Sequence, residues 1–224
     1  MSEFAIDASP RTLRLRRRIR WIVAATISYN AIEAVVAISA GSIASSAALV
    51  GFGLDSIVEV LSAAAVAWQF SARDPETRER MALRLIAVSF FALAIYVTVD
   101  AALTLTGVKT VEHSPVGIIL TSASLLIMPA LSLAERRTGQ HLGSASAVAD
   151  SKQTLICAYL SGAVLVGLLL NTLFGWAWAD PVAALVVVVF AVREGIEAWK
   201  GDACTVPVSV LTGERAAEVD DHHA

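Results

Sequence analysis

The chain has 224 residues, of which 56% are hydrophobic and 17% are charged. Because ordinary soluble domains are about 45–50% apolar and about 25% charged, this composition argues against a lone water-soluble domain. The net charge of −3 gives no reason to expect a nucleic-acid partner, and Cys157 and Cys204 are too far apart for a CxxC metal clip. The composition therefore predicts a polytopic membrane protein.

Six apolar runs follow one another between a charged head and a polar tail. A helix that spans a bilayer needs about 20 mostly apolar residues. We therefore predict an all-α integral membrane protein with six transmembrane helices. Its layout is a basic segment over 1–20, a six-helix transmembrane domain over 21–200, and a short tail over 201–224 without a folded cytoplasmic domain. The six runs lie at 21–40, 45–70, 83–107, 114–134, 147–173 and 178–199.

Basic residues concentrate in alternate connections. Six arginines lie between positions 11 and 20, four lie at 73–84 around the start of run three, and Arg136 and Arg137 follow run four. The opposite connections contain only Lys109. Since cytoplasmic loops carry the Lys/Arg excess, both termini are predicted to be cytoplasmic. We expect a multi-pass protein of the cell membrane, in a bacterium the inner membrane.

Several polar residues interrupt the apolar runs. An ionisable residue near the bilayer centre costs about 2.5–3.5 kcal/mol on insertion scales, so such residues mark binding sites or pathways. Three acids of run six lie near its ends, where water is expected to be close: Asp180, Glu194 and Glu197. The candidates inside the spans are Asn30 and Glu33 in run one, Asp55 and Glu59 in run two, Asp100 in run three and Asp150 in run five.

Asp55 and Glu59 form the sharpest pair. They are four residues apart, which places both carboxylates on one face of a helix, and no Lys or Arg lies within a turn. Two carboxylates in a low-dielectric site repel each other, and a divalent cation between them removes the conflict. A pair of protonated acids that bond to neighbouring helices is the alternative. We favour the metal site.

Run five supplies a matching stripe. Asp150, Gln153, Cys157 and Ser161 recur at the spacing of one helix face. Carboxylate, amide and thiolate groups together suit zinc or cadmium better than magnesium or calcium. Alternatives stay open: Cys157 as a small buried hydrophobe, Gln153 as a group that orients another ligand, and Asp150 as a ligand, a supporting acceptor or a proton carrier.

These residues resemble the cation diffusion facilitator family. The resemblance covers roughly residues 20–200 and is carried by Asp55 and Glu59, by Ala149-Asp150 at the start of run five, and by GWAWADPVAALVVVVFAVREGIEAW in run six. It implies export of divalent transition metals, commonly zinc, in exchange for protons, usually by a homodimer. Dimer contacts are then expected from the membrane helices, for example through the small residues at 38–48, which allow close helix approach.

The sequence departs from the family pattern in two respects. The family takes two acids from span two and a His-xxx-Asp pair from span five. Matching places Gln153 at the histidine and Cys157 at the second acid, with Asp150 a turn away as a possible substitute. A carboxylate or Cys157 must then exchange protons with the metal. Family members also continue into a cytoplasmic ferredoxin-like domain, for which 201–224 is too short.

The tail itself admits two interpretations. Its acidic and histidine residues, Asp220, Asp221, His222 and His223, could hold a metal loosely together with Cys204. A disordered, solvated tail is the alternative that we favour, because of its terminal position and composition.

We therefore predict an efflux transporter for divalent transition-metal cations, with Zn²⁺ or Cd²⁺ as substrate and no cofactor. The mechanism is metal/proton antiport by alternating access; Asn30 and Glu33 line the pathway or tune the acids, and Asp100 lies along the exit. Partners are metal ions, protons, membrane lipid and a second copy of the chain. The alternative is a membrane metal-binding or interaction protein that does not transport.

An intramembrane enzyme is disfavoured. The sequence contains no HExxH or GxSxG motif, and all four histidines, His113, His141, His222 and His223, are expected in loops or in the tail.

Overall fold

A computed structural model describes residues 10–70, 76–142 and 145–200 of the chain, and these residues form six α-helices without strands. This confirms the predicted all-α fold. The first helix begins at Pro10, so the second half of the basic segment is helical, and the fourth runs eight residues beyond the end of its predicted run at 134. The helices are α1 (Pro10–Ala44), α2 (Ala47–Phe70), α3 (Glu76–Leu105), α4 (Pro115–Leu142), α5 (Ala145–Phe174) and α6 (Ala179–Lys200).

Five of the described helices contain a stretch long and apolar enough to cross a membrane: 17–44, 47–65, 80–105, 115–141 and 154–174. The sixth, α6, carries Asp180 and a charged final third, which lowers its apolar content. Its small residues are nevertheless buried, and α6 packs against α2, α3 and α5. The chain is a multi-pass membrane protein in which α6 is part of the bundle.

The helix ends fall into two groups. The connections at 45–46, 106–114 and 175–178 lie at one end of the bundle, since the N–H of Glu112 donates to the carbonyl of Ala44 at 2.8 Å and Asp180 reaches the start of α2. The other end, called here the arginine-rich end, holds the starts of α1, α3 and α5 and the ends of α2, α4 and α6. Lys109 lies at the end opposite to it.

Small residues bring α1 and α2 into close contact. A Cβ atom at Gly53 would lie 2.8 Å from Cγ1 of Ile38 and 2.9 Å from Cβ of Ala37, so only glycine fits. Within the stretch 38–48, Ala44, Ala47 and Ala48 are buried inside the same chain, whereas Ser39 and Ser42 are exposed. The expectation that this stretch contacts a second copy stays a prediction.

The start of α2 is held by α6. Ser46 caps α2, since its Oγ accepts the N–H of Leu49 at 3.1 Å, and the same hydroxyl donates to Oδ1 of Asp180. The N–H of Ala48 donates to Oδ2 of Asp180 at 3.3 Å. The prediction that water is close to Asp180 is wrong: the residue is 0% exposed, because its carboxylate satisfies the orphan donors of the α2 N-terminus.

Candidate metal centre

Two carboxylates lie on the inner face of α2. Asp55 is buried and Glu59, near the middle of this 24-residue helix, is partly buried. The helix is continuous from Ala47 to Phe70, and its four-residue spacing brings the two side chains to one face, as predicted. A buried carboxylate is stable only when it is paired, hydrogen-bonded or bound to a cation.

The third group comes from α5. The Cys157 side chain is buried, and its Sγ–H donates to Oε1 of Glu59. One ligand atom from each of Asp55, Glu59 and Cys157 lies within 4.8 Å of the others. Helices far apart in the sequence thus bring two carboxylates and one thiol to a single point inside the bundle.

This spacing is close to what a tetrahedral zinc ion requires. With Zn–O bonds of about 2.0–2.2 Å and Zn–S bonds of about 2.3 Å, neighbouring ligand atoms are about 3.4–3.6 Å apart. The three ligand atoms of the site lie within 4.8 Å of one another, which is near this separation. The donor set of oxygen and sulfur also belongs to zinc-like metals rather than to calcium, which takes six to eight oxygens.

Asn30 reaches the same site from α1. Its Nδ2 donates to Oε2 of Glu59 at 2.5 Å, whereas its Oδ1 is buried and has no hydrogen-bond partner. Glu59 therefore meets two of the predicted groups at once, the thiol of Cys157 on one oxygen and the amide of Asn30 on the other.

Glu33 is held in a neighbouring polar cluster. Ser56 Oγ donates to Oε2 of Glu33 at 2.9 Å, Ser124 Oγ donates to Oε1, and the hydroxyl of Tyr29 lies 2.7 Å from Ser124 Oγ. This cluster joins α1, α2 and α4. Sequence reasoning missed Ser56, Ser124 and Tyr29, because serine and tyrosine are common in membrane helices and carry no charge that would single them out.

A further buried acid, Glu135 of α4, was also missed. It is 0% exposed and accepts from Thr26 Oγ1 at 3.2 Å and from Thr154 Oγ1 at 3.0 Å. Sequence reasoning placed Glu135 in a charged connection, since Arg136 and Arg137 follow it. Thr26 and Thr154 lie about one helical turn from Asn30 and Cys157, so Glu135 occupies the next polar layer toward the arginine-rich end.

The remaining predicted residues lie elsewhere. Asp100 of α3 forms an ion pair with Lys109, which follows α3 at the end opposite the arginine-rich end. The side chains of Asp150 and Gln153 lie outside the part of the chain that the structure describes. His113 is exposed in a connection as expected, but His141 lies in the last turn of α4 and not in a loop. His222, His223 and Cys204 belong to 201–224, which is not described.

Comparison with known proteins places the chain in a family. A search of curated proteins gave no significant match. Residues 23–200, which hold most of α1 and all of α2 to α6, match the family described as the cation efflux transmembrane domain. The match includes every residue of the cluster of Asp55, Glu59 and Cys157. The chain therefore belongs to the cation efflux family and is a transporter of metal cations.

Proposed function

We propose that the protein exports zinc or cadmium and that the ion binds between α2 and α5 at Asp55, Glu59 and Cys157. The observation that carries this proposal is the convergence of two carboxylates and one thiol about midway along membrane helices, within 4.8 Å of each other. Family membership gives metal cation efflux; the choice of metal and the coupling to protons are the proposal.

The chemistry of the donors supports a soft divalent ion. Thiolate ligands select zinc-like ions, whereas Mg²⁺ keeps several waters and prefers carboxylate and phosphate oxygens. The carboxylates alone would also accept manganese, iron or cobalt, so Cys157 is the group that shifts preference to zinc and cadmium. Gln153 and Asp150 are proposed as additional ligands or supporting groups from the same helix.

A proton on the site supports exchange of metal for protons. The thiol of Cys157 donates to Glu59, so this hydrogen must leave when metal binds to both groups. We propose that metal entering from the arginine-rich, cytoplasmic end displaces protons, that the bundle then opens to the other side, and that returning protons release the metal. Asn30, Glu33 and Asp100 lie along or beside this path.

We also propose the orientation, the location and the oligomeric state of the protein. Both termini lie in the cytoplasm, the six-helix domain over 21–200 lies in the cell membrane of a bacterium, and a homodimer forms through the membrane helices. Cysteine accessibility from each side of the membrane, with single cysteines at positions 109 and 200 in a Cys-free background, tests the orientation.

Zinc flux into proteoliposomes under an imposed pH gradient tests the function. Native protein is expected to give gradient-dependent flux, Asp55→Ala to give none, and Glu197→Ala to match the native protein, since Glu197 is a partly exposed α6 residue that pairs with Arg193. Binding without flux in the native protein would favour the alternative of a non-transporting metal-binding protein. Equal flux in native protein and Asp55→Ala would show that the site lies elsewhere.

A further inference from the structure

We infer that the side-chain oxygen of Asn30 is a fourth ligand of the transported ion. The inference rests on the proposed function, since it completes the same site. Asp55, Glu59 and Cys157 supply three ligand atoms, and zinc-like ions take four in a tetrahedral arrangement. The fourth position is then filled from α1, and of the two roles proposed above for Gln153 and Asp150, the inference takes that of supporting groups.

The first observation is an unpaired buried oxygen. Asn30 is only 5% exposed, and its Oδ1 has no hydrogen-bond partner, although its Nδ2 donates to Glu59. Leaving a buried acceptor without a partner costs about 1–3 kcal/mol. Among the residues that the structure describes, the only other buried side-chain nitrogen or oxygen without a partner is Nδ2 of Asn171, so the unpaired oxygen of Asn30 calls for an explanation. A ligand that arrives from outside, such as a cation, supplies that explanation.

The second observation is the geometry of the amide. Its Nδ2 lies 2.5 Å from Oε2 of Glu59, which is one of the proposed metal ligands. The oxygen and nitrogen of an asparagine amide exchange places when the group turns by half a rotation. Without metal, the NH₂ faces the carboxylate of Glu59. With a cation beside Glu59, the turned amide presents Oδ1 to the same ion, and the NH₂ takes the buried position that Oδ1 held. The metal–oxygen bond then has to offset the loss of the hydrogen bond from Nδ2 to Glu59.

Two consequences follow for transport. An amide oxygen binds metal without losing a proton, so Asn30 adds a ligand and leaves the number of displaced protons unchanged. It also adds a third helix to the site, because Asn30 belongs to α1, whereas the other ligands belong to α2 and α5. Metal binding therefore fixes α1 to the α2–α5 pair, and release of metal frees it.

The test uses a feature of the sequence: Asn30 and Asn171 are its only asparagines. Asn171 is equally buried and has an unpaired Nδ2, but it lies about 21 Å along α5 from Cys157, by the rise of an α-helix. Infrared difference spectra of protein labelled with ¹³C-asparagine, recorded with and without Zn²⁺, therefore report on two amides. Asn171→Leu leaves the signal of Asn30 alone.

Coordination through oxygen weakens the carbonyl bond, so the Asn30 carbonyl band is expected to move to lower frequency when zinc binds to Asn171→Leu. An unchanged or raised frequency in protein that binds zinc would overturn the inference. Removal of a group that only supports a metal ligand typically weakens metal binding by about 10- to 100-fold. We therefore expect Asn30→Leu, which removes a ligand, to weaken zinc binding by more than about tenfold in calorimetric titrations. Asn171→Leu is the matched control.

Equal weakening in Asn30→Leu and Asn171→Leu would also overturn the inference, because it would show a packing effect of losing a buried amide. If Asn30→Leu fails to fold, the infrared shift in Asn171→Leu still decides. Asp55→Ala separates this inference from the proposed function. If Asp55→Ala abolishes zinc binding while Asn30→Leu leaves it intact, the site stands and only the fourth ligand is wrong; if Asp55→Ala binds zinc normally, the proposed site is wrong.

Discussion

The contact between Asp180 and the start of α2 predicts a large effect on stability. Asp180 is fully buried and accepts hydrogen bonds from Ser46 Oγ and from the N–H of Ala48. Replacing it by alanine removes both bonds and leaves two buried donors in a helix-end region that water does not reach. The carboxylate also faces the N-terminus of α2, where a negative charge is stabilising.

The size of the effect follows from these contacts. Hydrogen bonds to charged groups contribute about 1.5–3 kcal/mol each, so loss of both predicts a destabilisation of about 3–6 kcal/mol. For a chain of this size, each kcal/mol lowers Tm by about 2–4 °C, and the lower limit of the destabilisation therefore corresponds to a fall of about 6–12 °C. Asp180→Asn keeps one acceptor oxygen and is expected to lie between the native protein and Asp180→Ala.

Thermal unfolding in detergent, followed by circular dichroism, measures this difference. Glu197→Ala is the matched control, because it removes a carboxylate from the same helix. Glu197 pairs with Arg193 at 3.0 Å, with side chains 34% and 67% exposed, and such surface pairs contribute about 0–1 kcal/mol. A Tm for Asp180→Ala within about 2 °C of that for Glu197→Ala, which corresponds to 1 kcal/mol or less, would refute the reasoning.

Three further predictions concern the helix contacts and the metal site. Gly53→Ala is expected to lower Tm by several degrees in the same thermal unfolding experiment, because the added Cβ would collide with α1. Gly162→Ala is the control and should leave Tm unchanged, since its Cβ would meet only Leu125 at 3.6 Å. Cys157→Ser is expected to weaken cadmium binding far more than manganese binding in parallel calorimetric titrations, since sulfur selects soft ions; equal losses would count against Cys157 as a ligand. Zinc binding should weaken as pH falls, by about tenfold per pH unit for each displaced proton, and a Kd independent of pH would rule out displacement of the Cys157 hydrogen.

The fold was largely predictable because hydropathy and length report on each helix separately. Six apolar runs, separated by breaks near Gly41 and at 71–80, 107–113, 135–143 and 174–180, predicted six helices. The described residues form six, with ends that differ from the predicted ones by up to about eleven residues. The ends moved because charged residues such as Arg17 and Glu135 extend a helix beyond its apolar part, and hydropathy does not register this.

The candidate site was predictable to the extent that charge marks it. Asp55 and Glu59 stand out because a charged pair in an apolar run has few structural explanations, and Cys157 followed from its position on the polar stripe of α5. The partners of these residues were not predictable. That Asn30 meets Glu59, and that Glu135 lies between two threonines, depends on how α1, α2, α4 and α5 pack, which no spacing within one helix can indicate.

Asp180 shows the opposite case. Its position near the end of an apolar run predicts a water-exposed acid, yet the start of α2 lies beside it and supplies two donors. A sequence pattern locates an acid along its own helix, but it does not say which other helix end faces that acid. Such information enters only with the tertiary structure.

The central claim is that a metal ion binds to Asp55, Glu59 and Cys157 inside the bundle. Absorption spectroscopy of the purified protein loaded with Co²⁺ tests it most directly, because a tetrahedral site with one thiolate gives both intense visible bands and a sulfur-to-cobalt charge-transfer band in the near ultraviolet. The account predicts both features in the native protein, loss of the charge-transfer band in Cys157→Ser, and loss of all bands in Asp55→Ala. Bands in Cys157→Ser that equal those of the native protein, or no bands in the native protein, would contradict it.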